Sequence, residues 1–220
     1  MLAYHRAPYH YRRMTDIGID RERLTDALGE ALAKVDTSLS LPPRLRLHES
    51  YCTVASIGIR EYLNTLGVRS SLLISRPRLS FDRTMPHVFL DVRHRGESFI
   101  LDSTYTQFLG YVGLTNYTQH ERYQPDHAIA IVPSGERHQI VDTLIEAALA
   151  FDEKARAKVH HSRTPLVVPP LAGAGEVELR SAFSPIWAPE NISPYRMSTR
   201  AAAAGYSVGR ILTRMMSDDA

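Results

Sequence analysis

Three residues, in one order along the chain, could together attack a carbonyl. Cys52 is the only cysteine, His87 follows it, and Asp102 comes after His87. Attack by a thiol on an amide or thioester needs a thiolate, which a nearby histidine or a helix N-terminus favours. It also needs a base within hydrogen-bond reach and a third group that holds the imidazole in the right tautomer. Cys52 lies in ESYCTVASIGIREYL, residues 49 to 63, within the first turn of an expected helix. The unsatisfied N–H groups and partial positive charge there would favour both a thiolate and a developing oxyanion, and the Cys52 backbone N–H is itself a natural oxyanion donor. His48, just before that helix, and Gln107, just after the acid, are candidates for a second donor. Plainer readings stay open: free cysteines are among the most buried residues, a histidine can end a strand against a carbonyl, and an aspartate can lead into a turn.

The elements that must position these residues follow from periodicity. Leu24, Ala27, Leu28, Ala31 and Leu32 recur at helical spacing over residues 21 to 35, with Asp20 as N-cap and Glu22 in the first turn. TSLSLPPRLRLHES then reads as an irregular connector. From Ser50, a second helix carries Val54, Ala55, Ile59, Tyr62, Leu63 and Leu66 on one face and stops at Gly67. Residues 68 to 75, VRSSLLIS, predict a strand. PHVFLDVR (86 to 93) and SFILD (98 to 102) predict a hairpin around HRGE. A turn centred near residue 95 places residues 88 and 102 opposite each other, which makes His87 and Asp102 neighbours. DHAIAIVPS (126 to 134) predicts a further strand, and residues 140 to 159 the longest amphipathic helix. This order predicts an α+β fold with an antiparallel sheet. The expected catalytic domain spans residues 1 to 161. Residues 162 to 220 read as a Pro- and Gly-containing linker and a C-terminal extension with weak helical signals.

A cysteine at a helix start, HVFLDV on a strand and then FILDSTYTQF resembles the catalytic core of the transglutaminase-like superfamily, within the broader papain-like group. The resemblance covers about residues 45 to 135. It implies a helix carrying the cysteine packed on an antiparallel sheet, with Cys52 as nucleophile, His87 as base and Asp102 orienting the base. The run Asp102 to Phe108 looks most like the bacterial glutamine deamidase form. Two departures keep other named activities from carrying over. Thr53 stands where transglutaminases commonly have tryptophan, and His48-Glu49-Ser50-Tyr51 replaces the Arg-Gly-Gly approach of arylamine N-acetyltransferases. Tyr105, Phe108, Tyr111 and Tyr117 would pack together or wall a cleft beside the thiolate, with Tyr105 a candidate substrate contact.

Composition narrows the alternatives. The 220 residues are 44% hydrophobic and 23% charged, as in an ordinary globular protein, which favours one domain with extensions. A net charge of +2 with neither basic stripe nor recognised module gives no reason to expect nucleic acid as a partner. A single cysteine excludes an internal disulfide and a thiolate-rich zinc site. His120, His127 and His138 lack close ligand spacing, so neither metal nor cofactor is expected. No stretch approaches the roughly 20 apolar residues of a membrane span, and the start MLAYHRAPYHYRRM lacks the apolar core of a signal peptide. A cytoplasm-compatible protein is expected, with delivery by a specialised secretion system also open.

The expected function is acyl transfer through an acyl-enzyme on Cys52, acting on the carboxamide of a protein or small molecule by glutamine deamidation or transamidation. The alternative is an acyltransferase that draws on a CoA or carrier-protein thioester in small-molecule biosynthesis. A cysteine protease, or an inactive binding module of the same fold, is a further alternative.

Overall fold

A computed structural model describes residues 19–38, 51–78, 86–112, 129–150, 171 and 173–217. Helix α1 spans Arg21–Ser38 and α2 Tyr51–Thr65. Strands β1 (Arg69–Ser75), β2 (His87–His94) and β3 (Glu97–Asp102) follow, then a 3-10 segment, Tyr105–Val112. After β4 (Ala130–Pro133) come α3 (His138–Ala150), α4 (Glu176–Trp187), β5 (Ile192–Pro194) and α5 (Thr199–Ser217). The fold is α+β, with one antiparallel sheet in the order β4-β3-β2-β1-β5.

The sheet separates two cores. On one face Val88, Leu90, Val92, Phe99 and Leu101 pack under α1, α2 and α5. On the other Phe89 and Ile100 pack with the 3-10 segment, α3 and α4, where Phe108, Phe183 and Trp187 fill the interior. Alternation along β2 sends odd-numbered residues to the second core and even-numbered ones to the first. α2 is covered nearly all round, since every residue from Tyr51 to Ile59 is buried. Leu66 is not on its buried face: the helix ends at Thr65, and Leu66 sits in the following turn, 48% exposed.

The remaining boundaries differ in informative ways. α1 begins as expected, with Asp20 Oδ1 accepting the Arg23 N–H at 3.0 Å, but runs on to Ser38. β4 is shorter than the apolar run around it, and α3 is described from His138 to Ala150. Residues 151 to 159 of the expected long helix lie outside the described residues. The hairpin register is shifted by one. His94 pairs with Glu97 around a two-residue turn, Arg95-Gly96, so residue 102 falls across from residue 89 rather than 88. Positive φ at both turn residues (50° and 83°) is what the tight primed turn of a right-twisted hairpin requires.

The C-terminal stretch packs closely on the rest. β5 pairs with β1, and α4 lines the second core. α5 lies against α2 so closely that a Cβ on Gly205 would fall 2.4 Å from Cβ of Ile57, and one on Gly58 would fall 2.5 Å from Val208. Arg23 of α1 donates to the carbonyls of Met215 and Met216, capping the far end of α5.

Candidate active site

Four side chains reach one place from the ends of four elements. Cys52 is the second residue of α2, His87 the first of β2, Asp102 the last of β3 and Trp187 the last of α4. Gln107, the third residue of the 3-10 segment, joins them. Two contacts dock the start of α2 on β2 through one residue. The Val88 backbone N–H donates to the Cys52 thiol, and one turn along the helix Ser56 Oγ donates to the Val88 carbonyl at 3.1 Å.

His87 and Asp102 are fully buried and Cys52 is 8% exposed. Nε2 of His87 lies 2.5 Å from Oδ2 of Asp102. The same Oδ2 accepts the indole N–H of Trp187 at 2.9 Å, and Oδ1 accepts the Thr104 backbone N–H at 3.0 Å. On the other side of the ring, Nδ1 of His87 lies 2.5 Å from the Gln107 amide nitrogen, and the imidazole hydrogen-bonds the Cys52 thiol. With Nε2 protonated toward Asp102, Nδ1 is an acceptor that the Gln107 amide or the thiol can serve. Edge-on aromatic rings hold the imidazole in place: Phe108 at 5.0 Å and Trp187 at 5.9 Å between centroids.

The electrostatics follow from these partners. Burial pushes the Cys52 thiol up, but the hydrogen bond and charge of His87, with the Val88 N–H, outweigh it and leave the thiol below its ordinary value; the Asp102 charge opposes them. Burial would also strip His87 of its proton. The charge and hydrogen bond of Asp102, reinforced by Cys52, prevail and push it up to about 10. These directions favour a thiolate–imidazolium pair anchored by a carboxylate; Nδ1 then carries a proton, and the Gln107 NH2 must turn away from it. In so dry a site each of these charge interactions is stronger than it would be in water.

The structure therefore brings Cys52, His87, Asp102 and Gln107 together. Tyr105 is buried in the second core with Phe89 and Phe108, and His48 lies outside the described residues, as do Tyr117, His120 and His127. His138 opens α3, and among the described residues no cluster of His, Cys, Asp or Glu could hold a metal ion. No helix among them is long and apolar enough to cross a membrane. Trp187 and Ser56 escape sequence reasoning. The one available signal for Trp187 was its being the only tryptophan in the chain. Buried hydroxyls surround the site as well: Ser75, across β1–β2 from His87, and Ser103 and Thr104 beside Asp102, none with a hydrogen-bond partner for its side-chain oxygen among the described residues. Comparison of the chain with protein-family models, with curated proteins and with solved structures gives no match.

Proposed function

We propose that this protein is a cysteine-dependent acyl-transfer enzyme with a transglutaminase-like core, acting on a carboxamide. The observation that carries the reading is the buried imidazole of His87, bonded to the Cys52 thiol and, through Nε2, to Asp102. In the first step Sγ of Cys52 bonds to the carbonyl carbon. The developing oxyanion is met by the Cys52 N–H and by the Gln107 amide once it turns from Nδ1. The C–N bond then breaks, and the leaving nitrogen takes the proton held by His87. For a glutamine side chain the product is ammonia and a thioester on Cys52. In the second step His87 takes a proton from water or an amine, the new bond to carbon forms, and the C–S bond breaks to return the thiolate. Asp102 holds the tautomer that presents Nδ1 to the thiol and stabilises the imidazolium.

The test is covalent trapping on the intact protein. A glutamine-rich protein such as β-casein should release ammonia and leave a transient acyl adduct on Cys52, seen by mass spectrometry. An adduct formed only with acetyl-CoA would assign the site to thioester donors instead. Failure of Cys52 to react with iodoacetamide faster than a free thiol, at pH values below the ordinary thiol range, would overturn the acyl-enzyme reading.

A further inference from the structure

The Asp102 carboxylate is held by donors from three parts of the chain. The His87 ring comes from β2, the Thr104 N–H from the turn after β3, and the Trp187 indole from α4, 85 residues further on. Trp187 is 1% exposed, and its ring also packs edge-on against His87 and Phe108, at 5.9 and 5.6 Å. Any large aromatic ring could do that packing. Only a ring N–H can satisfy Oδ2.

We infer that Trp187 is a positioning residue for the proposed reaction, its indole N–H holding the Asp102 carboxylate charged and turned toward His87. The inference rests on the acyl-transfer reading above. A buried carboxylate keeps its charge only while its lone pairs find donors. Without the indole N–H, Oδ2 is left with the imidazole alone and draws the Nε2 proton toward itself. The imidazolium then weakens, and with it the field that keeps Cys52 ionised. The Thr104 N–H on the other oxygen prevents the carboxylate from swinging to compensate. Trp187 thus acts through Asp102 and His87 without touching the reacting atoms.

Because the chain has one tryptophan, an analogue supplied to a tryptophan auxotroph enters position 187 alone. Benzothienylalanine keeps the shape of the ring and replaces N–H by sulfur; 5-fluorotryptophan keeps the N–H. The readout is the pH profile of Cys52 alkylation by iodoacetamide on the full chain. The benzothienyl protein should show its acid limb moved up by about one pH unit, or an alkylation rate about tenfold lower on that limb, and the fluorotryptophan protein should restore the native profile. Trp187→Phe, with folding checked by circular dichroism, gives the same upward shift should the analogue protein fail to fold. Native-like profiles in both N–H-free proteins overturn the inference and leave the acyl-transfer reading standing. Equal shifts with both analogues also overturn it, since they would mark packing rather than the N–H. A native protein whose Cys52 alkylates like a free thiol overturns both.

Discussion

His87 and Asp102 are diagonal neighbours on one face of the β2–β3 ladder. Leu90 pairs with Leu101, so the continuing register sets Asp102 across from Phe89, two residues from His87 and on the same side of the sheet. That offset suits a long contact between side chains, and Nε2 meets Oδ2 at 2.5 Å. Directly opposed or one residue out, the pair would crowd or point to opposite faces. The two-residue turn at Arg95-Gly96 therefore sets the geometry of a site at the far ends of both strands, one strand length away. Lengthening it by one residue should break the His87–Asp102 contact while leaving most of the hairpin paired. The expected result is a folded protein, by circular dichroism, whose Cys52 alkylates at the rate of an ordinary buried thiol.

Removing the His87 imidazole exposes what burial alone does to the thiol. Desolvation is the largest influence on Cys52 and acts upward; only its partners bring it below the ordinary value. In His87→Gln the upward push is opposed by little more than the Val88 N–H, so the thiol should titrate above a free cysteine. Alkylation at neutral pH should slow by about 100-fold or more, two or more units of thiolate fraction. Equal rates in the two proteins would show that His87 does not ionise Cys52.

Asp102→Asn keeps the shape and removes the charge. The amide oxygen can face His87 and Trp187, but its NH2 then meets the Thr104 N–H, donor against donor, in a site with no exposure. Turning the amide the other way sets it against the ring nitrogens instead. Both the charge that holds His87 protonated and the satisfaction of the site are lost. On the proposed acyl-transfer reading, acyl-enzyme formation at neutral pH should fall by about 100-fold, with a drop in unfolding free energy of about 2 kcal/mol by urea titration. A variant of native activity would remove Asp102 from the proposed mechanism.

The order of the three residues and the strands that carry them were legible in the sequence because both are local. Alternation along HVFLDV marks a strand, and the helical spacing after Ser50 places Cys52 at its start. The register was not legible, because HRGE accommodates turns of different length and only the positive φ values at Arg95 and Gly96 decide between them. The stretch from residue 162 to 220 carried weak helical signals, and α5 within it shows one physical reason. α5 buries Ala201, Ala204, Gly205, Val208, Gly209 and Leu212 on one face; that stripe is regular, but its two glycines are poor helix formers and weaken the local helical preference. Trp187 could not be assigned a partner, since Asp102 lies 85 residues before it and no local pattern links them.

The seam between α2 and α5 is where stability and the site meet. A Cβ on Gly205 would sit 2.4 Å from Ile57 of α2, and one on Gly209 would sit 2.6 Å from Glu61. Because the near atom at Ile57 is its Cβ, no rotamer change relieves the contact, and the helices must part. Gly205→Ala should lower stability by about 1–3 kcal/mol, read as a fall in melting temperature. Parting α5 from α2 also loosens the docking of Cys52 on Val88, so alkylation should slow in the folded protein. Unchanged melting and labelling would mean that the helices do not approach this closely in solution.

Trp187 also provides an optical view of its neighbour. A protonated imidazole quenches an excited indole by accepting an electron, and the two rings here lie 5.9 Å apart. Because His87 is pushed up to about 10, emission from the single tryptophan should stay low through neutral pH and rise only near pH 10. Alkylating Cys52 removes the hydrogen bond and the negative charge of the thiolate, both of which support the proton on His87. The rise should therefore move to lower pH in the carboxamidomethylated protein, while Asp102, still in place, keeps it above the ordinary histidine value. An emission profile flat from neutral pH to beyond 10 in both proteins, with the chain still folded, would contradict the assignment of the proton to His87.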